Sequence, residues 1–317
     1  LRLLMPQQGA GSADEDGFAR GNADELYRIR DQITQDGPDA LVVMSADHVY
    51  RFDVMDAVRT HRRVGAECTV VTTTVPVEEA TDHATVETDD AGRVTRFEYK
   101  PDRPRTGTVA AEIFVYDPAA LVSLLEELHR ELADDAEDGD TGLGDYGDHL
   151  LPRLVDRGTV VAHAMPGYWK DLGQPHKYLA AHRDVLTDDQ GVLGDPDWPI
   201  IGHLQQRPPA RVLDGGRVAD SLISPGSVVR GTVLRSVLGP GVVVEEGALV
   251  RDSVVFQDTR IAEGARVDWA VVDRDCVIGP AAEADDPDAI TLVGRGSTVG
   301  RGVLLPGGAR LEPGTTA

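Results

Sequence analysis

Apolar positions follow two different rhythms along this chain. Up to about Leu186, short apolar runs alternate with longer amphipathic stretches, the rhythm of an α/β domain. Ala40-Leu41-Val42-Val43-Met44 is a continuous apolar run, too short for a helix and bounded by Pro38-Asp39 and Asp47, which predicts a strand buried on both faces. Val54, Met55, Ala57 and Val58 give Asp53 to Arg63 a helical spacing, and Asp24 to Ile33 is expected as a helix as well. The Val- and Thr-rich run from Cys68 to Val77 predicts the next strand. Asp89-Asp90-Ala91-Gly92 reads as a turn between two strands, and Ala111 to Tyr116 as a further strand. Pro118 opens a helix running to about Leu132. The acidic, glycine-bearing stretch Asp134 to Asp145 is expected as a solvated surface loop.

The second rhythm begins near residue 218, after a connection carrying Pro196, Pro199, Pro208 and Pro209. Val237, Val243, Leu249, Val255, Ile261 and Val267 recur every six residues, and Gly241, Gly247, Ser253, Thr259 and Ala265 stand two places before the last five. Strand alternation gives period two, not six. A hexapeptide period means stacked coils: three hexapeptides complete each turn of a triangular parallel β-helix, the aliphatic residue pointing inward and the small one fitting the corner. Pro280 to Asp288 interrupts the pattern, and Val293, Val299, Leu305 and Leu311 resume it. The chain thus divides into 1–186, a connection at 187–217, and a β-helix at 218–317.

Composition narrows the partners. The 317 residues carry 31 Lys+Arg against 54 Asp+Glu, a formal charge of −23, which works against binding to DNA, RNA or an anionic membrane. Only three of the cations are lysines, Lys100, Lys170 and Lys177. Cys68 and Cys276 lie far apart with no metal-type spacing, so a disulfide framework and a structural zinc site are not indicated, and a reducing cytoplasm is expected. No apolar run approaches the roughly 18 residues of a membrane span.

Chemistry concentrates at strand ends. Ser45-Ala46-Asp47-His48-Val49-Tyr50 follows the first buried run, and in open α/β sheets ligands bind beyond the carboxyl ends of strands. Asp47 there suits either a metal ligand or the cap of the following helix. His48 and Tyr50 are expected to pack at the strand end or to brace Asp47. Tyr168-Trp169-Lys170-Asp171-Leu172-Gly173 supplies a second isolated carboxylate. Mg²⁺ takes one or two carboxylates plus phosphate oxygens, so two aspartates from distant segments suit phosphoryl chemistry. Lys100, in Glu98-Tyr99-Lys100-Pro101, is a point charge suited to a phosphate or an ordinary surface lysine. Arg20-Gly21-Asn22-Ala23-Asp24 places a glycine before a helix, an arrangement able to present backbone N–H groups to a base or phosphate.

Taken in order, Pro6-Gln7-Gln8, Arg20-Gly21-Asn22-Ala23-Asp24, Ser45 to Tyr50, Lys100-Pro101, Tyr146-Gly147, Tyr168 to Gly173 and Ser221-Leu222-Ile223-Ser224-Pro225-Gly226 resemble the bacterial glucose-1-phosphate adenylyltransferases, or ADP-glucose pyrophosphorylases. The resemblance covers nearly the whole chain. It implies an α/β nucleotidyltransferase domain of Rossmann-like type, incomplete at its N-terminus, followed by a left-handed parallel β-helix. It implies transfer of an adenylyl group from ATP to glucose 1-phosphate, releasing pyrophosphate and giving ADP-glucose for glycogen or α-glucan synthesis. Asp47 and Asp171 would hold Mg²⁺, Lys100 would bind the sugar phosphate, Trp169 would line the sugar pocket, Lys170 would meet an anionic substrate, and Gly21, Asn22 and Asp24 would approach the nucleotide. A homotetramer is implied too.

The sequence departs from the resemblance at several places. Tyr99 stands where the family carries a glutamate before its lysine, Ala110-Ala111-Glu112 where it carries Ser-Met-Gly, Asp148 where it carries a lysine, and Ala46 where it carries glycine. Another nucleotide or sugar phosphate, or a catalytically impaired regulatory homologue, are the alternatives these changes raise. Nothing in residues 1–40 matches the family's phosphate-clamping glycine-rich loop, so about 90 residues are expected before Leu1 and the 317-residue chain alone is expected to be inactive. Acyl transfer, the other common use of a hexapeptide β-helix, relies on a histidine between coils. All nine histidines lie at or before His203. Coil arginines such as Arg230, Arg235, Arg251 and Arg266 are expected to pair with the abundant acids, and Trp198 and Trp269 to pack.

Overall fold

The computed structural model describes residues 21–132, 141–187, 195, 199–202, 206–279, 283–284 and 289–317. Pro6-Gln7-Gln8, Arg20, Trp198, and most of the acidic stretch and of the Pro280 to Asp288 interruption lie outside them. By their contacts these residues form two bodies, one of residues up to 46 with 52–169, the other of 47–51 with 170–317.

The first body is built on a mixed sheet. In chain order its elements are α1 (Asn22–Arg28), α2 (Arg30–Asp36) and β1 (Leu41–Met44), then, after β2 (His48–Tyr50) of the second body, α3 (Val54–Val64), β3 (Cys68–Thr74), β4 (Thr85–Thr88), β5 (Val94–Glu98), β6 (Thr108–Tyr116), α4 (Pro118–Leu132), α5 (Leu151–Asp156) and β7 (Val160–Ala164). The sheet runs β5-β4-β6-β3-β7, with β1 paired to β6. Only β3 and β7 are parallel; β6 is antiparallel to β3, β4 and β1. Apolar residues of α4 at Leu121, Leu124, Leu125 and Leu128 follow the i, i+3, i+4, i+7 spacing of one helix face, and all four are buried in a core with Phe114, Tyr116, Leu150 and Leu154. Each such side chain contributes up to about 1.5–3 kcal/mol by leaving water.

Local chemistry fixes the element ends. Asp53 caps α3 by accepting the Met55 N–H at 3.0 Å, and Gly65 ends it in the left-handed conformation at φ 64°. Two expectations are corrected here. The single helix from Asp24 to Ile33 is two short helices broken at Ile29, whose ψ of 5° leaves the helical region. The run ending in Met44 is not buried on both faces: β1 is half-buried and Met44 is 45% exposed, because β6 alone pairs with it among the described residues. The strand from Cys68 stops at Thr74, two residues before Pro76, and the one from Ala111 starts earlier, at Thr108.

The second body contains β2, β8 (Trp169–Asp171, from Lys170 onward), α6 (Pro175–Thr187) and stacked parallel coils. β2 pairs with β8 in a two-stranded ribbon. Coil strands begin at Arg211–Val212, ahead of residue 218, and pair in parallel through to Arg310–Leu311. The turn is not a constant three hexapeptides. Val228 lies opposite Val243, a step of 15; Val237 opposite Val254, a step of 17; Val277 opposite Thr298, a step of 21. The interior column accordingly slips. Val255, Ile261 and Val267 are buried as the period predicts, but Leu238, Val244 and Val250 point inward in place of Val237, Val243 and Leu249, which are only half-buried.

Corners of the coils are held by polar ladders. Ser221 Oγ accepts the Ser236 N–H, Ser236 Oγ the Ser253 N–H and Ser253 Oγ the Ala270 N–H, each at 3.1 Å. Arg235, Asp252 and Trp269 stack at a corner in left-handed conformations, with φ between 44° and 48°. The Arg235 guanidinium is bidentate on Asp252, Arg251 pairs with Asp268, and Arg230 with Glu245, so these coil arginines do meet acids. α6 joins this body through Tyr178, stacked on Phe256, and Arg183, whose guanidinium lies 4.8 Å from the Trp269 ring centre.

Candidate active site

In the second body the two isolated carboxylates come together. His48 Nε2 lies 3.8 Å from Asp47 Oδ1 and 3.9 Å from Asp171 Oδ1. Gly173 faces both: a side-chain carbon there would stand 3.1 Å from Asp171 Oδ1 and 3.5 Å from Asp47 Oδ2. Backbone pairing sets this up, since Leu172 N–H donates to the Asp47 carbonyl at 2.8 Å. Asp47 is therefore not a helix cap; Asp53 has that task. The Asp47 side chain is 58% exposed, that of Asp171 18%. Burial acts to raise the Asp171 carboxyl, but the Gly173 N–H at 2.7 Å, the Lys177 ammonium at 3.1 Å and His48 outweigh it and hold the group below its usual range. Lys177 had no assigned role in the sequence; its place six residues after Asp171, on the first turns of α6, is the signal that would have found it. Lys170, expected at the substrate, is engaged instead by Asp184 of α6 at 2.8 Å.

In the first body a second constellation surrounds Tyr99 and Lys100. Lys100 has φ 46°, its N–H donates to the His83 carbonyl at 3.2 Å, and its Nζ lies 5.0 Å from the Tyr99 ring centre. His83 in turn meets the Trp169 ring edge-on, with centroids 5.2 Å apart. The Tyr99 phenol donates to Asp145 Oδ2 at 3.2 Å, and its ring lies over Gly147, where a side-chain carbon would come within 2.5 Å. Burial, then Asp145, raise the Tyr99 phenol; burial lowers the Lys100 ammonium, but Tyr99, Glu112 and Asp145 reverse this and raise it. Asp148, at the family's lysine position, is turned back to accept the Asp145 N–H at 2.8 Å.

The segment at Gly21 is tied to the same loop. Ala23 and Asp24 N–H groups both donate to the Gly144 carbonyl at 3.2 Å, Asn22 N–H to Asp145 Oδ1 at 3.2 Å, and Tyr146 N–H to Asn22 Oδ1 at 2.6 Å. The N–H groups expected to face a base or phosphate are thus occupied within the fold. Asp24 is completely buried and accepts from Arg28 and from Thr141, so its carboxylate is a packing element of this corner. Of the expected residues, the fold brings together Asp47 with Asp171, and separately Asn22, Tyr99 and Lys100 around Asp145.

A mixed sheet with carboxylates and a lysine at strand ends, continued by parallel hexapeptide coils, defines a nucleotidyl transferase carrying a β-helix. The nucleotidyl transferase family model matches residues 6–188, and the model described as GlmU-like, C-terminal hexapeptide, matches residues 208–286. At 32% identity over 260 residues, 81% of this chain and 67% of the relative's length, the chain is similar to a glucose-1-phosphate adenylyltransferase of Bacillus thuringiensis (strain Al Hakam). It is also 32% identical over 337 residues to the enzyme of that name from Albidiferax ferrireducens, covering 98% of this chain and 77% of the relative. Glucose-1-phosphate adenylyltransferase 2 of Alkalilimnicola ehrlichii is 32% identical over 326 residues. The chain belongs to the glucose-1-phosphate adenylyltransferase family. Enzymes of the nucleotidyl transferase class use a divalent metal. Among the described residues no helix is long and apolar enough to cross a membrane.

Proposed function

We propose that this protein transfers the adenylyl group of ATP to glucose 1-phosphate, giving ADP-glucose and pyrophosphate. A phosphate oxygen of the sugar phosphate forms the new bond to the α-phosphorus as the bond to the pyrophosphate breaks in line. Positioning and charge neutralisation supply most of such catalysis. The observation that carries the reading is the convergence of Asp47 and Asp171, from segments far apart in sequence, on His48 and Gly173.

This donor set fits Mg²⁺. Both groups are hard carboxylates with lone pairs to spare, one exposed enough to keep waters and phosphate oxygens in the shell. A bound Mg²⁺ supplies neutralisation of phosphate charge. Lys177 positions the Asp171 carboxylate, and Gly173 leaves the approach open, since a side-chain carbon there would press on Asp171 Oδ1 and lie in contact with Asp47 Oδ2. Lys100 meets the sugar phosphate as a point charge, and Trp169, braced by His83, lines the sugar side. Gly21 and Asn22 act on the nucleotide side through the loop at 144–146. A cytoplasmic homotetramer is the assembly this reading carries with it.

The test is pyrophosphate release from ATP and glucose 1-phosphate by the full-length protein, with ADP-glucose identified as product. Asp47→Asn and Asp171→Asn are each expected to lower kcat at least ~100-fold, the scale of losing a group that stabilises transition-state charge. Full activity in both variants, or no ADP-glucose from the wild type, sinks the proposal.

A further inference from the structure

β6 contains one charged residue, and it is in the wrong place for a core strand. Glu112 interrupts a run whose neighbours Ala110, Ala111, Ile113 and Phe114 are all buried. Its φ is 53°, a left-handed conformation that a side chain with a Cβ adopts only at a cost. The strand bulges there: Val70 of β3 faces Phe114 while Thr72 faces Ala110, so β6 spends two residues more than its partner across this stretch. Bulges of this kind re-aim a side chain and gather beside active sites.

Among the described residues of the first body, only two non-glycine residues have positive φ, Glu112 and Lys100. They carry opposite charges and lie within electrostatic reach of each other, and the Tyr146 phenol sits beside the Glu112 carboxylate. Glycine alone takes both conformations freely, so packing does not account for an anion and a cation held at these two positive-φ positions. Strain held in this way is retained by function. A sugar phosphate offers what such a pair divides: a dianion for the ammonium and hydroxyl donors for the carboxylate.

Resting on the proposed reaction, we propose that Glu112 is the specificity-determining residue of the sugar 1-phosphate subsite. Its carboxylate accepts hydrogen bonds from sugar hydroxyl groups while Lys100 meets the phosphate. The carboxylate also repels the phosphate end, so the ligand is read in one orientation. A sugar lacking the hydroxyl leaves the carboxylate without its donor, and such mismatches discriminate strongly.

The test is steady-state kinetics on the full-length protein, with glucose 1-phosphate and each of its monodeoxy analogues, for wild type, Glu112→Gly and Glu112→Gln. Wild type is expected to prefer glucose 1-phosphate over at least one deoxy analogue by ~100-fold or more. Glu112→Gly is expected to erase that preference and raise KM for glucose 1-phosphate at least ~10-fold, with KM for ATP within about twofold. It is also expected to unfold at a higher temperature than wild type, because glycine takes φ 53° freely. Glu112→Gln, which keeps size and backbone, is expected to share the kinetic defect without the thermal gain. An unchanged preference among the analogues, or KM for ATP rising as far as that for the sugar phosphate, overturns the assignment. Wild-type protein that makes no nucleotide sugar from any of these ligands overturns the reaction on which it rests; a failure in the variants alone does not touch that reaction.

Discussion

Gly21→Ala isolates how closely α1 is pressed onto the 141–146 loop. Gly21 has φ 162°, an extended conformation open to any residue, so alanine adds no backbone strain and the whole effect must come from contact. A Cβ there would lie 2.2 Å from the Gly144 carbonyl carbon and 2.5 Å from the Asp145 nitrogen. Comfortable carbon–carbon contact is about 3.5–4.0 Å, so the two backbones must part by more than about 1 Å. Bonds from Ala23, Asp24 and Asn22 N–H to Gly144 and Asp145, already 3.2 Å long, cannot survive such a parting. At roughly 0.5–1.5 kcal/mol net for each bond, the loss is about 3 kcal/mol. For a body of this size that lowers the thermal midpoint by about 6–12 °C. Urea unfolding followed by tryptophan fluorescence and circular dichroism reads it. The matched control is Gly65→Ala, where φ is 64° but nothing lies within 4 Å; it should lose only the left-handed penalty of about 1–2 kcal/mol. If Gly21→Ala unfolds within about 0.5 kcal/mol of wild type, a span ordinary surface changes also cover, or costs less than Gly65→Ala, the close approach is not what holds this corner.

Two further outcomes are expected. Ser253→Ala removes a buried hydroxyl that donates to the Arg251 carbonyl at 2.6 Å and accepts from Ala270 N–H, and should cost about 1–3 kcal/mol in the coil transition, read by denaturant melts. Burial lowers the imidazoles of His61, bonded to Thr69 at 3.0 Å, and of His163, bonded to Thr60 at 3.0 Å. Their folded values lie below the unfolded value near 6.5, so the unfolded state takes up protons first and stability should fall as pH drops below about 6.5. His61→Gln and His163→Gln variants should show a flatter stability–pH curve between about pH 6.5 and 5; an unchanged slope would refute the titration.

What the sequence displayed depended on whether local and tertiary demands agreed. The helix from Pro118 to Leu132 was legible to the residue because its proline start and apolar spacing both mark the same face that packs on the sheet. Asp47 and Asp171 stood out in the sequence only as isolated acids, with a helix cap open to Asp47; the backbone bond from Leu172 to the Asp47 carbonyl is what brings them together. The coil period was legible, but its slip was not. Val237-Leu238, Val243-Val244 and Leu249-Val250 are apolar doublets, so the six-residue column runs on unbroken in sequence while the inward position moves from the second member of each doublet to Val255. One side of the turn has five residues, and only the register across coils reveals it. The left-handed Glu112 was invisible for another reason: it lies in the bulge of β6 against β3, a pairing between distant segments, and runs against the residue's own preference.

The serine ladder gives the coils a direction. Each hydroxyl from Ser221 through Ser236 to Ser253 waits as an acceptor for the N–H of the next coil, and the series stops at Ala270, which has no hydroxyl to offer onward. The two ends of this stack are therefore chemically unlike. Loss of coils from the C-terminal side leaves serine oxygens without their donors, and loss from the N-terminal side leaves N–H groups without their acceptors, so the two ends present opposite halves of the same hydrogen bond.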